Sequence, residues 1–473
     1  MTDSQKWWAL VFLVLAQFMI VLDVSILNVA LPSIERQFSL TVSDLQWMVT
    51  AYTLCFGGFL LLGGRAADLY GRKRVFISGV IGFTVISLLI GIVDSASFMV
   101  PLRALQGLSA AFMSPSALSI ILTLFHEQRE RTKALSIWGV VSAGGATAGL
   151  LLGGLLTTYL NWRWNFFVNV PVGIVVIIAA LRLLPAREQE ESDKTLDLPG
   201  AVLITSALLL LVYTLSQANT WGWTSGPTFV LLMCAFFLLG GFFINEARAA
   251  HPLTPLSIFK IGNVVAADLV QLPITASMFS MFFFLTLYVQ NILHYSPLQA
   301  GLAFVPSSIM IGISATLAPR LIARIGYKPI LVIAPLFLVG GLFSFTQLAA
   351  DGTYFDFLPG LLLMAVGLGS CFVAIAVAAT SGIPGAQSGL ASGLLNTAQQ
   401  IGGSLGLAIL SSVAAATTAG ALVATQDDKV GALLSGFHSA FYTGMAFGLT
   451  ASFLAFLLIK QTKVSPVQIP PSA

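Results

Sequence analysis

Gly64-Arg65-Ala66-Ala67-Asp68-Leu69-Tyr70-Gly71-Arg72-Lys73-Arg74 is a short charged island set between two long apolar stretches. Arg65, Arg72, Lys73 and Arg74 are its cations and Asp68 its acid, and neither flank leaves room for a soluble domain. Short loops on the cytoplasmic face of a membrane collect Lys and Arg. The island therefore reads as a cytoplasmic turn between two membrane helices. Composition agrees: 57% of residues are hydrophobic and 9% charged, with a mean hydropathy of +0.92, whereas soluble domains carry about a quarter charged residues.

A helix crosses the hydrocarbon with about 20 apolar residues. On that ruler spans fall near 8–30, 45–64, 75–93, 98–124, 134–158 and 165–184, then 199–216 and 227–246, then 263–289, 298–319, 329–348, 356–380, 393–416 and 437–459. The expected architecture is an all-α integral membrane protein of fourteen spans with both termini cytoplasmic. Residues 1–188 form one six-helix bundle, 189–260 hold two inserted helices, and 261–473 form a second six-helix bundle with a short cytoplasmic tail. The positive-inside rule tests this order. Only Arg36, Arg163 and Lys429 fall in outer loops and only Arg103 within a span, while every other Lys and Arg lies inside.

Other classes are excluded by what the residues lack. A net charge of +3 spread over short loops gives no basic face for nucleic acid. Cys55, Cys234 and Cys371 lie far apart, as do His126, His251, His294 and His438, so neither a disulfide framework nor a metal site is expected. No H-E-x-x-H occurs and no metal ligands cluster, and an enzyme is not expected. The first apolar run carries Asp23 and lacks a small-residue cleavage site, so it should remain in the mature protein. No cofactor is expected, and the protein reads as a monomer in the lipid bilayer.

The halves echo each other. Gly64, Asp68, Gly71 and Lys73 align with Pro319, Ala323, Gly326 and Lys328, so the second copy keeps a glycine and a lysine and loses the acid. Transporter folds are often built from repeats with the substrate site between them.

The spacing G-x-x-x-D-x-x-G-R-K between the second and third spans resembles the signature loop of the major facilitator superfamily. Four further stretches resemble its fourteen-span drug:proton antiporter branch. They are Leu22-Asp23-Val24-Ser25-Ile26-Leu27-Asn28-Val29-Ala30-Leu31-Pro32, Arg103-Ala104-Leu105-Gln106-Gly107, the run from Trp162 through Asn169 to Gly173, and Leu287-Tyr288-Val289-Gln290 continuing to Gly301. The antiporter pattern G-x-x-x-G-P-x-x-G-G of span five is present as Gly145, Gly149, Leu150, Gly153 and Gly154, with Leu150 in place of the proline. Glycines at i, i+4 leave a smooth helix face where a neighbour can approach closely.

Ionisable groups within hydrocarbon are functional candidates, and here they are Asp23, Arg103 and Asp268. Asp23 lies about 15 residues into span one, roughly 23 Å along the helix. A carboxylate there can take a proton or a cationic substrate in turn; a structural hydrogen bond to a neighbouring helix is the alternative. The resemblance implies that Asp23 is functional and that Arg103 works in proton coupling, with Gln106 beside it. Arg103 cannot deprotonate and so serves as a fixed counter-charge. Asp268 has no counterpart in the resemblance; it is either a substrate-selecting charge or an acid wetted from the cytoplasm. Asn28 and Gln271 complete the candidate substrate cavity with Asp23 and Asp268. Gly64, Asp68, Gly71 and Arg72 form the candidate conformational lock, which would close the cytoplasmic seam and favour the outward-open state.

The reading is a proton-coupled exporter of hydrophobic, cationic small molecules, a multidrug efflux protein of a bacterial cytoplasmic (inner) membrane, working by alternating access. A dedicated exporter or uniporter of one metabolite, antibiotic or lipid is the second reading. A membrane receptor or scaffold is the third, and it would call for a longer tail than the roughly 14 residues past the last span on the ~20-residue ruler.

Overall fold

The charged island is mostly helix. In the computed structural model, which describes residues 3–125, 127–184, 197–250, 252–254, 256–381, 388–424 and 428–461, helix α2 (Val42–Tyr70) runs through Tyr70 and α3 starts at Arg72. Gly71 alone separates them, at φ +94°, a conformation that L side chains rarely adopt. Its counterpart Gly326, at φ +83°, makes the same one-residue link in the second half. The turn expected over 64–74 thus shrinks to one glycine, because Arg65 and Asp68 sit in good helical sequence and nothing before Gly71 stops the helix.

The remaining helices are α1 (Asp3–Phe38), α3 (Arg72–Ile92), α4 (Ala96–Leu124), α5 (Gln128–Tyr159), α6 (Trp164–Leu183, broken at Val168), α7 (Leu198–Trp221) and α8 (Gly226–Arg248). They continue with α9 (Val264–Ile292), α10 (Pro297–Ile325), α11 (Tyr327–Phe345), α12 (Tyr354–Thr380), α13 (Ser388–Ala424) and α14 (Lys429–Leu458). Among the described residues, twelve helices are long and apolar enough to cross a membrane. Helices α2 and α5, of 29 and 32 residues, stand outside that twelve. Helix α9 contains two π-helical turns, Ser280–Phe284 and Tyr288–Ile292, which the periodicity of its sequence did not announce.

Packing repeats between the halves. In the first, α2 packs on α4, α1 on α5, and α3 on α4 and α6; in the second, α10 packs on α12, α9 on α13, and α11 on α12 and α14. Each partner is shifted by eight helices. The halves meet along two equivalent seams, α2 with α13 and α5 with α10. Helix α7 lies against both α2 and α13, capping one seam, with Leu208 and Val212 packed on Leu54 and Ala408. Helix α8 pairs with α7 and exposes Phe229, Phe236 and Phe237, as a lipid-facing helix does.

Small residues set the helix spacings. A Cβ on Gly149 would stand 2.7 Å from the Ser25 Cβ, and one on Gly153 would stand 2.8 Å from Ile26 Cγ1. Gly145 faces Val21 at 3.2 Å, so the three glycines present one bare face to α1. Gly154 turns the other way and would meet Leu298 Cα of α10 at 2.8 Å. Opposite it, Gly301 packs on the backbone carbonyl of Leu150, so the α5–α10 seam is a reciprocal close approach.

Candidate functional site

Five helices deliver one buried polar cluster in the first half. Asp23 comes from α1, Tyr52 from α2, Ser87 from α3, Arg103 and Gln106 from α4, and Asn169 from the restart of α6 after Val168. Arg103 and Gln106 are three residues apart and share a helix face. Gly107 lets α4 lie directly on the Tyr52 backbone, which places the Tyr52 ring 4.3 Å from the Arg103 guanidinium carbon.

Arg103 Nη1 donates to Asp23 Oδ2 at 2.5 Å and to Gln106 Oε1 at 2.6 Å, and its Nε donates to the Met48 carbonyl at 3.2 Å. Gln106 Nε2 donates to Asp23 Oδ1 at 2.9 Å and to Ser87 Oγ at 2.8 Å. Asn169 Nδ2 reaches the same Asp23 oxygen at 3.4 Å. Asp23 is 0% exposed and Arg103 1%. A buried pair of this kind is weak ground for stability, because desolvation offsets the attraction. Its chemical capacity is clearer: one group can gain or lose a proton beside another that keeps its charge.

The sequence candidates divide between the halves. Asp23, Arg103 and Gln106 are brought into direct contact. Asn28 lies on α1 past Asp23, half-buried. Asp268 and Gln271 sit one turn apart on α9, in the second half. Gln271 Nε2 donates to Thr275 Oγ1 at 2.9 Å, and Gln271 Oε1 and Asp268 Oδ1 are buried acceptors without a donor. Of the candidate lock, Gly64 is half-buried on α2, Gly71 is the link and Arg72 opens α3, while the Asp68 side chain lies outside what the structure describes. Lys73 donates to the Leu181 and Leu184 carbonyls at 3.0 and 2.5 Å, tying the start of α3 to the end of α6.

Tyr52, Ser87, Gly107 and Asn169 join the site without having been chosen as candidates. Asn169 and Gly107 stood inside quoted stretches, and a polar residue in an apolar run was the available signal for Asn169. Tyr52 and Ser87 carry no such mark.

The halves are also hydrogen-bonded at the end where α1 finishes. Gln290 Nε2 donates to the Val29 carbonyl at 3.0 Å, Asn291 Nδ2 to Glu35 Oε2 at 2.9 Å, and the Leu298 amide to Thr158 Oγ1 at 3.1 Å.

Two six-helix halves with repeated packing, two equivalent seams and a buried ion pair define a multi-pass membrane transporter. The chain belongs to the Major Facilitator Superfamily, whose family model matches residues 13–407. It is 38% identical over 469 residues to the puromycin resistance protein pur8 of Streptomyces alboniger, covering 97% of this chain and 92% of that protein. It is 38% identical over 416 residues to the cephamycin export protein CmcT of Amycolatopsis lactamdurans, covering 87% and 86%. The lincomycin resistance protein of Streptomyces lincolnensis is 33% identical over 419 residues, covering 87% and 85%. The fold is shared with an inward-facing bacterial homolog of the human lysosomal transporter Spinster, at TM-score 0.67, 16% identity and 97% and 98% coverage. A D-xylose-proton symporter matches at TM-score 0.67, 14% identity and the same coverage.

Proposed function

We infer that this transporter exports hydrophobic, cationic antibiotic-like compounds from the cytoplasm in exchange for protons. The observation that carries the reading is the buried Asp23–Arg103–Gln106 cluster. Ionisable groups held inside the hydrocarbon region are costly and serve transport, and here an acid that can accept a proton faces a cation that cannot release one. Protonation of Asp23 frees Arg103 from its counter-charge, so the two protonation states favour different packings of α1, α4 and α6. The names of the relatives, which speak of resistance and export, support the direction and the cargo class.

The finer architecture follows the same reading. Helices α2 and α5, each long enough to span, join the twelve apolar helices to give fourteen spans, with 1–188 and 261–473 as the rocking bundles and 189–260 as the inserted pair. Both termini and the Gly71 link then face the cytoplasm, and Gly64, Asp68, Gly71 and Arg72 act at the cytoplasmic seam. Asp268, with Gln271, is the substrate-facing acid of the second half, and Asn28 lines the same path. Asp23 is sealed within its own half in this conformation, so its role is coupling first and substrate contact second.

Export of one dedicated compound is the second reading, favoured because pur8 and CmcT are each named for one antibiotic. Purified protein in proteoliposomes with a pH-sensitive dye inside tests both. Proton movement on adding members of a cation panel supports broad exchange, a response to one compound supports the dedicated exporter, and transport without proton movement overturns coupling.

A further inference from the structure

At the Gly71 end of the molecule, a groove of about 510 Å³ opens between the first half and the inserted pair. Its wall is apolar, formed by Leu62 and Ala66 of α2, Val75 of α3, Phe112 of α4 and Leu198 at the start of α7. Arg74 and Tyr70 stand at its edge, both exposed. The volume falls within the ~300–1,000 Å³ of small-molecule sites, and the lining is amphipathic: a long apolar wall with one cation, the Tyr70 hydroxyl, and the Ser78 hydroxyl, which donates to the Val75 carbonyl at 2.9 Å.

Several of the charges around it are already committed. Lys73 is bound to the Leu181 and Leu184 carbonyls. Asp197, next to Leu198, is buried and accepts from the Gly200 amide at 2.9 Å and from Asn245 at 2.9 and 2.8 Å. Glu246 accepts from the Thr254 amide at 2.8 Å. Arg74 belongs to none of the ion pairs among the described residues, and it sits in the first turn of α3, at the end of the spanning sequence, where a phospholipid carries its phosphate.

We propose that this groove is a binding site for one anionic phospholipid, its acyl chain lying between α2, α4 and α7 and its phosphate on Arg74 and the Tyr70 hydroxyl. An acyl chain there gains little over bulk lipid, so charge supplies the selectivity, and each Lys or Arg near an anionic surface adds roughly a fivefold preference. The lipid would join the inserted pair to the first half beside the apolar contact of Leu62 with Ala201 and Leu253. The site is independent of the transport reading, because lipid retention is measured without any substrate.

Native mass spectrometry of the full chain in detergent tests it, with dioleoyl-phosphatidylglycerol and dioleoyl-phosphatidylcholine added at equal concentration. The wild type should retain the first phosphatidylglycerol about fivefold more than phosphatidylcholine. Arg74→Gln should bring that ratio to about one, whereas Arg74→Lys and the control Arg182→Gln should keep it. Leu198→Trp, made at an exposed position, should fill the groove and lose the first adduct of either lipid. Persistence of the preference in Arg74→Gln, or of the adduct in Leu198→Trp, would overturn the site.

Discussion

Replacing Asp23 by Asn removes one negative charge while leaving its neighbours in place. The carboxylate accepts from Arg103, Gln106 and Asn169, and in the variant Arg103 keeps the Met48 carbonyl, Gln106 Oε1 and the Tyr52 ring. What it loses is its counter-charge. Leaving one member of a buried pair alone costs about 3–5 kcal/mol, and the contacts Arg103 keeps are common to both proteins and do not offset that loss. Asp23→Asn, which strands the guanidinium, and Arg103→Gln, which strands the carboxylate, should therefore each lower stability by about 3–5 kcal/mol. The double variant has no buried charge left and should cost less than the two singles together, with a coupling of at least about 2 kcal/mol. Denaturant unfolding of the four proteins in one mild detergent measures this, and proton movement in proteoliposomes should be lost in all three variants. Single-variant losses that add to the double within about 0.5 kcal/mol would show that the pair is not energetically coupled and would sink the reasoning.

Gly149→Val should cost about 1–3 kcal/mol by overpacking, since even a Cβ at that position stands 2.7 Å from Ser25 Cβ; an unchanged melting curve would mean that α1 and α5 separate freely. Gly63→Ala and Gly64→Ala should differ sharply despite adjacency: a Cβ on Gly63 collides with the Ala111 carbonyl, whereas one on Gly64 meets only Pro115 Cβ at 3.7 Å. Expression and melting temperature should fall for the first alone. Asn291→Leu removes the hydrogen bond to Glu35 across the halves, worth about 1 kcal/mol net, and should raise the fraction open at that end about fivefold. Spin labels at exposed Tyr159 and Leu302 read this as a longer distance population, and an unmoved distribution would remove Asn291 from the closure.

The two-half plan and its membrane setting were legible because they rest on local signals: apolar runs of spanning length, cations in alternate short loops, and glycines at the two links. Gly71 and Gly326 could be aligned from sequence alone, and both take the backbone conformation that only glycine adopts with ease. The contact of Asp23 with Arg103 and Gln106 was anticipated, from polar residues in apolar runs and from the resemblance, as an acid beside a fixed counter-charge with Gln106 next to it. Its remaining members were hidden for a physical reason: Tyr52, Ser87 and Asn169 arrive from three other helices, and the distance between helices is not written in any one of them. Gly64 drew notice through the motif, yet Gly63 makes the close approach. Pro115 lacks the amide that would bond the Ala111 carbonyl within α4, and Gly63 is the residue that lies against that carbonyl. Such a pairing needs the crossing of α2 and α4 to be known.

Helix α1 joins these elements mechanically. It carries Asp23, and about 9 Å further along the Val29 carbonyl accepts from Gln290 of the second half; about 18 Å from Asp23, Glu35 accepts from Asn291. Between them Pro32 leaves the Asn28 carbonyl without its helical donor, loosening the ladder beside the Val29 acceptor. Along its flank the glycine face of α5 offers backbone and no interlocking side chains, a surface over which a helix can shift with little repacking. One helix is thus bonded to the Asp23–Arg103 cluster at its middle, to the opposite half at its end, and held by a smooth neighbour along its side. On the proposed reading, a change in the charge of Asp23 that moves α1 would reach the seam through these bonds. On that reading, exchange would then need little direct contact between proton and cargo, with Asp268, in the half across the seam, as the acid proposed to meet the cargo.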